Sequence, residues 1–249
     1  LYETALDGLL RVDIVMPYVP LVQSLLIELV HLHGLEELLI DLYDKPEQVK
    51  AIVSHMAVSK KALLERLEAD NLLFDNNTNI YTGSGGLGYS NVKVADPDHV
   101  KLSEMWGFAD SQEFSSVSPQ MFREFALEYQ KIGLNMFGKA CYGCCEPLDD
   151  RFEMVFEALP NIRRLSVSPW SNVEVAAKKI GNKAIFSWKP NPAIICNGFD
   201  EKEMEAHLRH VSEVTKGCTT EIILKDIRTC DNTPAHLQKF AGLVNRIFK

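Results

Sequence analysis

Apolar positions follow two rhythms along this chain. Val49, Ile52, Val53, Met56, Ala57, Leu63, Leu64 and Leu67 recur at helical spacing and predict a helix over 45–72. Pro46 sits in its first turn, where a missing N–H costs least. A second helix is predicted over 25–42, and the apolar run 72–74 reads as a short strand. From about Leu102 the period alternates. Short runs at 104–108, 140–145, 164–168, 184–188 and 221–224 read as strands, and each is followed by a helical pattern, at 119–137, 149–159, 172–180, 201–216 and 234–248. Ser118 with Pro119 opens the first of these helices, and Gly138 and Gly181 close two of them. Five consecutive strand–helix units predict an α/β chain with a parallel sheet.

Periodicity leaves two layouts open, a doubly wound sheet and a (β/α)8 TIM barrel. The residues just past each strand favour the barrel. Asp110, Gln112 and Glu113, then Cys144, Cys145 and Glu146, then Ser168 and Trp170, then Trp188 and Lys189, then Lys225, Asp226 and Cys230 come at successive strand ends. Barrel closure would gather such ends on one face, where active sites are built. A sheet with a single switch-point crevice accommodates five chemically rich ends less well.

Composition narrows the class. The chain has 249 residues, 46% hydrophobic and 24% charged, which excludes a collagen-like, coiled-coil or disordered chain and fits one domain over 1–249. Its 26 Lys and Arg against 34 Asp and Glu give a net charge of −8, a poor match for nucleic acid or for an anionic membrane surface. No apolar run reaches the ~18–20 residues that span a bilayer. Six Cys without a secretory signal point to a reducing, cytoplasmic setting, with metal or redox work rather than staples.

Gly83-Ser84-Gly85-Gly86-Leu87-Gly88 matches the spelling of a dinucleotide fingerprint, but no helix opens after it, so it reads as a flexible loop over the barrel mouth. The sharper signal is Cys141, Cys144 and Cys145 within five residues, with Cys230 after the last strand. Thiols from two strand ends could converge on one zinc, with Glu146 as an oxygen ligand and one position left open. In a regular strand Cys141 and Cys145 share a face and Cys144 points away. His207 and His210 have ligating spacing, but among Glu203, Glu205 and Arg209 they read as a solvated helix face. Trp106, Trp170 and Trp188 fall at or just past strand ends, as core or as an apolar pocket wall.

The stretches Leu39-Ile40-Asp41-Leu42-Tyr43-Asp44-Lys45-Pro46-Glu47, Val117-Ser118-Pro119-Gln120-Met121-Phe122-Arg123-Glu124-Phe125 and Tyr142-Gly143-Cys144-Cys145-Glu146-Pro147-Leu148 resemble the uroporphyrinogen decarboxylase superfamily. Ser168-Pro169-Trp170, Lys189-Pro190-Asn191-Pro192 and Ile223-Leu224-Lys225-Asp226 add to the resemblance, which runs from about residue 11 to the end. It implies a (β/α)8 barrel that is incomplete at the N-terminus. It also implies one of two chemistries. Decarboxylases of this superfamily work on a porphyrinogen without a cofactor, but their N-terminal arginines, a Tyr where Leu26 falls after Pro20, and a Gly-His-Gly where Arg228-Thr229-Cys230 stands are not matched. Corrinoid-dependent methyltransferases hold zinc with a His-x-Cys pair and a Cys near the last strand. Cys230 matches that Cys, and Cys141 to Cys145 occupy the place of the pair.

The resulting expectation is a zinc-dependent methyltransferase-like enzyme that moves a methyl group between a small-molecule donor or thiol and a corrinoid carried by a partner protein. Cys141, Cys144, Cys145 and Cys230 are the expected ligands, and Glu146 and Asp226 the expected catalytic groups. Trp106, Asp110, Gln112, Glu113, Trp188 and Lys189 are expected to contact substrate. A porphyrinogen decarboxylase and a non-catalytic tetrapyrrole-binding relative are the alternatives.

Overall fold

The computed structural model describes residues 2–9 and 21–248. Residues 11–20, where the resemblance begins and where Pro20 lies, fall outside the described residues. After a short helix α1 (Tyr2–Leu6), the chain forms α2 (Leu25–His33), α3 (Leu35–Asp44) and α4 (Pro46–Ala69). The single helix expected over 25–42 is two, because Gly34 takes a φ of 95° between them. The stretch 72–74, expected as a strand, is irregular.

A two-stranded hairpin comes next, β1 (Tyr81–Gly83) and β2 (Gly86–Leu87). Then come β3 (Trp106–Ala109), α5 (Pro119–Phe122), a π turn (Arg123–Leu127), α6 (Glu128–Leu134), β4 (Lys139–Tyr142) and α7 (Phe152–Ala158). The chain continues with β5 (Ile162–Val167), α8 (Val173–Ile180), β6 (Ile185–Trp188), α9 (Ala193–Cys196), α10 (Glu201–Val214), β7 (Thr219–Ile222) and α11 (Ala235–Ile247). The strand–helix alternation is therefore as the sequence predicts, with ends shifted by a few residues. Caps do the local work: Ser118 Oγ accepts from the Met121 amide, Asn172 from Val175, and Asp200 from Lys202 and Glu203.

β3 to β7 make one parallel sheet in chain order, and Val22 adds a single parallel bridge to Phe108 beyond β3. Because the order never reverses, right-handed crossovers carry successive helices to one face. On that face Ala109, Ala140, Tyr142, Leu165, Val167, Phe186 and Trp188 join the helices in one apolar core. The sheet is not closed among the described residues, where β3 and β7 are its two ends.

The other face is polar and carries the glycine hairpin. Cys141, Arg164 and Ser166 face it: Cys141 Sγ lies 4.0 Å from the Gly83 carbonyl, Ser166 Oγ 3.4 Å from Ser84 Oγ, and Arg164 donates to Thr82 Oγ1 at 3.0 Å and to the Leu87 carbonyl at 2.8 Å. The glycines are there for close approach. A Cβ on Gly83 would stand 2.3 Å from Phe108, one on Gly85 2.5 Å from Ile223, and one on Gly88 1.6 Å from the Asn76 carbonyl oxygen. The Gly-rich stretch is thus a fitted cover on the sheet rather than a loose loop.

Gly88→Ala should cost more than about 2 kcal/mol in urea unfolding, because its clash is with backbone that cannot step aside. Gly242→Ala, inside α11 with nothing within 4 Å of the added Cβ, should instead be neutral or stabilise by up to about 1 kcal/mol. Equal effects would contradict the fitted-cover account.

Candidate functional site

The polar groups past the strand ends meet at the C-terminal edge of the sheet. β4 ends at Tyr142, and Gly143 turns the chain with a φ of 90° while its amide still bonds the Ala109 carbonyl at 2.9 Å. A Cβ at Gly143 would lie 2.6 Å from Leu148, so the turn is both left-handed and tight. Because the strand stops there, its two-residue alternation stops too. Cys144 and Cys145 project together, with their sulfurs 3.7 Å apart, while Cys141 stays one layer below, fully buried against the hairpin. The pairing of Cys141 with Cys145 expected from strand parity is replaced by the pair Cys144–Cys145.

Lys225, in the loop just past β7, reaches across and places its ammonium 3.2 Å from both sulfurs. Asp110, just after β3 and almost fully buried, donates its amide to Ser24 Oγ at 2.9 Å, and its carboxyl group is near enough to Ser24 and Cys144 for both to favour its charged form. Glu146 holds the loop itself: one carboxylate oxygen accepts the Ser111 amide at 2.8 Å and the other the Cys144 amide at 3.0 Å. Ser166 Oγ adds a bond to the Cys144 carbonyl at 2.9 Å. Behind these, Ser111 Oγ lies 2.7 Å from Tyr142 Oη and 3.3 Å from Gln130 Oε1, and Tyr142 Oη donates to Gln130 Oε1 at 2.6 Å, a buried triangle of contacts.

Burial dominates the titration of this cluster. It pushes the Cys144 thiol up to about 12 although Lys225 pulls the other way, because the Asp110 charge also opposes a thiolate. It raises Glu146 to about 7, with Asp110 adding to the rise and the two amide bonds resisting it. Asp110 is raised by the same desolvation. Burial acts to lower Lys225, yet the two cysteines outweigh it and hold the ammonium charged. Lys189, wholly buried after β6, is lowered by burial to about 8, and it donates to the Ser187 carbonyl at 3.0 Å and to Ser187 Oγ at 2.7 Å.

The structure thus brings together Asp110, Cys144, Cys145 and Glu146, with Lys189 close enough to feel the charges of Cys144 and Lys225. Gln112 and Glu113 line an open cleft of about 620 Å³ beside them, together with Ser115, Cys145, Pro147 and Trp170. Trp106 and Trp188 lie elsewhere. Trp106 begins β3 instead of ending it, donates its indole N–H to the Gly88 carbonyl at 2.8 Å and stacks with Arg164, so it braces the opposite end of the sheet. Trp188 turns to the helix face, its ring 5.2 Å from that of His207 in α10. His210 pairs instead with Glu174 at 2.7 Å, so the two histidines do not share a ligand. Asp226 is largely exposed, 3.9 Å from Lys225. Cys230 is buried in the turn Cys230–Asn232, and among the described residues no hydrogen bond joins it to the thiol pair. Lys225 and Trp170 are visible in the sequence as residues after strands; only the fold shows that one faces the thiols and the other the cleft.

Two thiolates on a tetrahedral zinc, at about 2.3 Å from the ion, stand about 3.8 Å apart. The Cys144–Cys145 spacing fits that bite. Among the described residues no set of three or more His, Cys, Asp or Glu side chains is arranged to hold a metal ion. The pair therefore fits as two sulfur donors, with Lys225 supplying the positive charge that faces them.

No family model, no curated protein and no solved structure matches this chain.

Neighbouring thiols at this distance should capture a trivalent arsenical as a dithioarsenite. Phenylarsine oxide should bind about once per chain, resist a monothiol wash and come off with a dithiol, as read by mass spectrometry. Cys144→Ser and Cys145→Ser should each abolish the retention; retention in either variant would show that the two sulfurs do not act as a pair.

Lys189 gives a pH test. Its folded pKa lies below its unfolded one, so between about pH 8 and pH 10 the folded state binds fewer protons and stability from this residue rises with pH. Urea unfolding of the wild type and of Lys189→Met at pH 7.5 and 9.5 should show the wild type gaining on the variant as pH rises; parallel changes would mean that the amine is not strained by burial.

Proposed function

We propose that the sheet belongs to a (β/α)8 barrel and that the chain is a methyl-transfer enzyme with a thiolate centre, passing a methyl group between a corrinoid on a partner protein and a small-molecule thiol or donor. The observation that carries this reading is the thiol pair at the C-terminal edge of a singly wound parallel sheet, with an ammonium on both sulfurs and a cleft reaching Cys145. The unreversed strand order supports the barrel, since each added strand curls the sheet further the same way.

Methyl transfer needs a good soft nucleophile in a dry site, and a thiolate is one. Here burial holds the Cys144 thiol protonated. Zinc, when bound by Cys144 and Cys145, supplies the positive charge that keeps sulfur deprotonated and offers an open position to an incoming thiol or oxygen. The chain's own residues prepare that step. Asp110, close enough to Cys144 for each to shift the other's titration, is the carboxylate available to take its proton. Lys225 balances the remaining negative charge from 3.2 Å. Glu146 keeps both sulfurs on one side of the loop by fixing the Cys144 amide to the end of β3. Lys189, whose amine burial brings down to about 8, gives up a proton more readily than an ordinary lysine and so relieves its own buried charge.

Zinc analysis after loading and gel filtration should give about one ion per wild-type chain and none in the Cys144→Ser/Cys145→Ser variant. The zinc-loaded wild type should accelerate the loss of methylcobalamin in the presence of homocysteine, and Cys145→Ser should slow that loss more than about tenfold, followed by the change in corrinoid absorbance. Full zinc retention or an unchanged rate in the variants would overturn the reading.

A further inference from the structure

We propose that the cleft beside Cys145 is a subsite for a small onium cation, a quaternary ammonium or a sulfonium, held between the Trp170 ring and the Glu113 carboxylate. The role of such a cation as methyl donor rests on the proposed function; its binding does not.

The walls of the cleft are chemically mixed in a way that suits a charged but poorly hydrated group. Trp170 and Pro147 give an apolar side, and Glu113 gives the one ionisable carboxylate among the lining residues, with no Lys or Arg among them. Glu113 Oε2 is buried and accepts no hydrogen bond, while burial and the nearby Asp110 push the carboxyl group up. A cation arriving in the cleft would give that oxygen the partner the protein does not. Its own backbone amide and, more weakly, His31 of α2 act the other way on Glu113.

Trp170 supplies the second half. It is 71% exposed, against 1% for Trp106 and 2% for Trp188. Its position is nonetheless fixed: its amide bonds Ser168 Oγ at 3.3 Å and the next amide bonds the Ser168 carbonyl at 3.1 Å, so the ring is presented by an ordered turn. The other two indoles have ring or cation partners, Arg164 and Lys139 over Trp106 and His207 against Trp188; no such partner of Trp170 is found among the described residues. An indole face and a carboxylate with an unbonded oxygen line the same cleft, and a ring face with a negative charge recognises alkylated cations, because a quaternary ammonium or a sulfonium has no N–H to satisfy and is stabilised by both. The net charge of −8 draws cations toward the surface in general. Cys145 is itself part of the cleft wall, so a cation bound there would sit near the thiol pair.

The test compares choline with 3,3-dimethylbutan-1-ol, which puts carbon in place of the charged nitrogen. Binding is read from the indole N–H resonances of the whole chain in two-dimensional NMR. Choline should shift the Trp170 resonance saturably, and the neutral alcohol should bind at least about tenfold more weakly. Glu113→Gln and Trp170→Leu should each weaken choline by about fivefold or more, read on a residue of the cleft wall, whereas Trp170→Phe should keep most of the affinity. This binding is measured without zinc or corrinoid, so a failed methyl-transfer assay leaves the result standing. Equal binding of the two ligands, methylammonium binding more tightly than choline, no saturable shift, or unchanged affinity in both Glu113→Gln and Trp170→Leu would each overturn the proposal.

Discussion

The site depends on one buried carboxylate. Glu146 accepts the Ser111 amide with one oxygen and the Cys144 amide with the other, and so ties the end of β3 to the loop after β4. A carboxylate can accept two amides on two chain segments at once, which no neutral side chain of its length does as well. The cost is desolvation, visible in the rise of its pKa to about 7. With the loop tied there, Gly143 must turn within a single residue, the β4 alternation ends, and two consecutive cysteines face the same way. The residue expected as a ligand or catalytic acid acts first as the brace that makes the thiol pair.

The same pairing of buried charge with fixed partners runs through the polar face of the sheet. Arg164 is almost fully buried, yet its donors are taken up by Glu221 at 2.6 Å, Thr82 and the Leu87 carbonyl, and its plane lies over Trp106. Removing any one of these partners would strand a buried charge, which is far costlier than the pair is worth as a stabiliser. The hairpin glycines matter for this reason: only a backbone without Cβ atoms comes close enough for its carbonyls to reach the guanidinium. The hairpin thereby covers what would otherwise be an unsatisfied layer on the face away from the helices.

Legibility tracks the periods. The five strand–helix units can be read because apolar spacing of 2 and 3.6 and the caps at Ser118, Asn172 and Gly181 are local signals. The break at Gly34 escapes the sequence because the flanking leucines keep helical spacing across it. Asp110, Cys144, Cys145 and Glu146 are legible as chemistry, since each comes soon after a strand. Their partners are not, because Lys225 reaches the thiols from beyond β7, at the far edge of the sheet from β3 and 80 residues along the chain from Cys145. Trp188 and Trp106 show the opposite limit. The end of β6 falls at Trp188 as the sequence predicts, but periodicity does not say which of the two faces carries the helices; β3 begins two residues later than expected, which puts Trp106 at its start and at the far end of the sheet.

Electrostatics links the two halves of the site. A thiol held at about 12 is a poor nucleophile, and Lys225 alone does not bring it down because burial and Asp110 oppose it. The Cys144 thiol therefore stays protonated despite the ammonium beside it. Any group that adds positive charge close by, a metal on the sulfurs or an onium in the cleft, acts on the same balance and favours the deprotonated sulfur. On the proposed function, such a site would stay quiet while empty and turn nucleophilic once its cationic partner arrives, which would protect a pair of adjacent thiols from side reactions between turnovers.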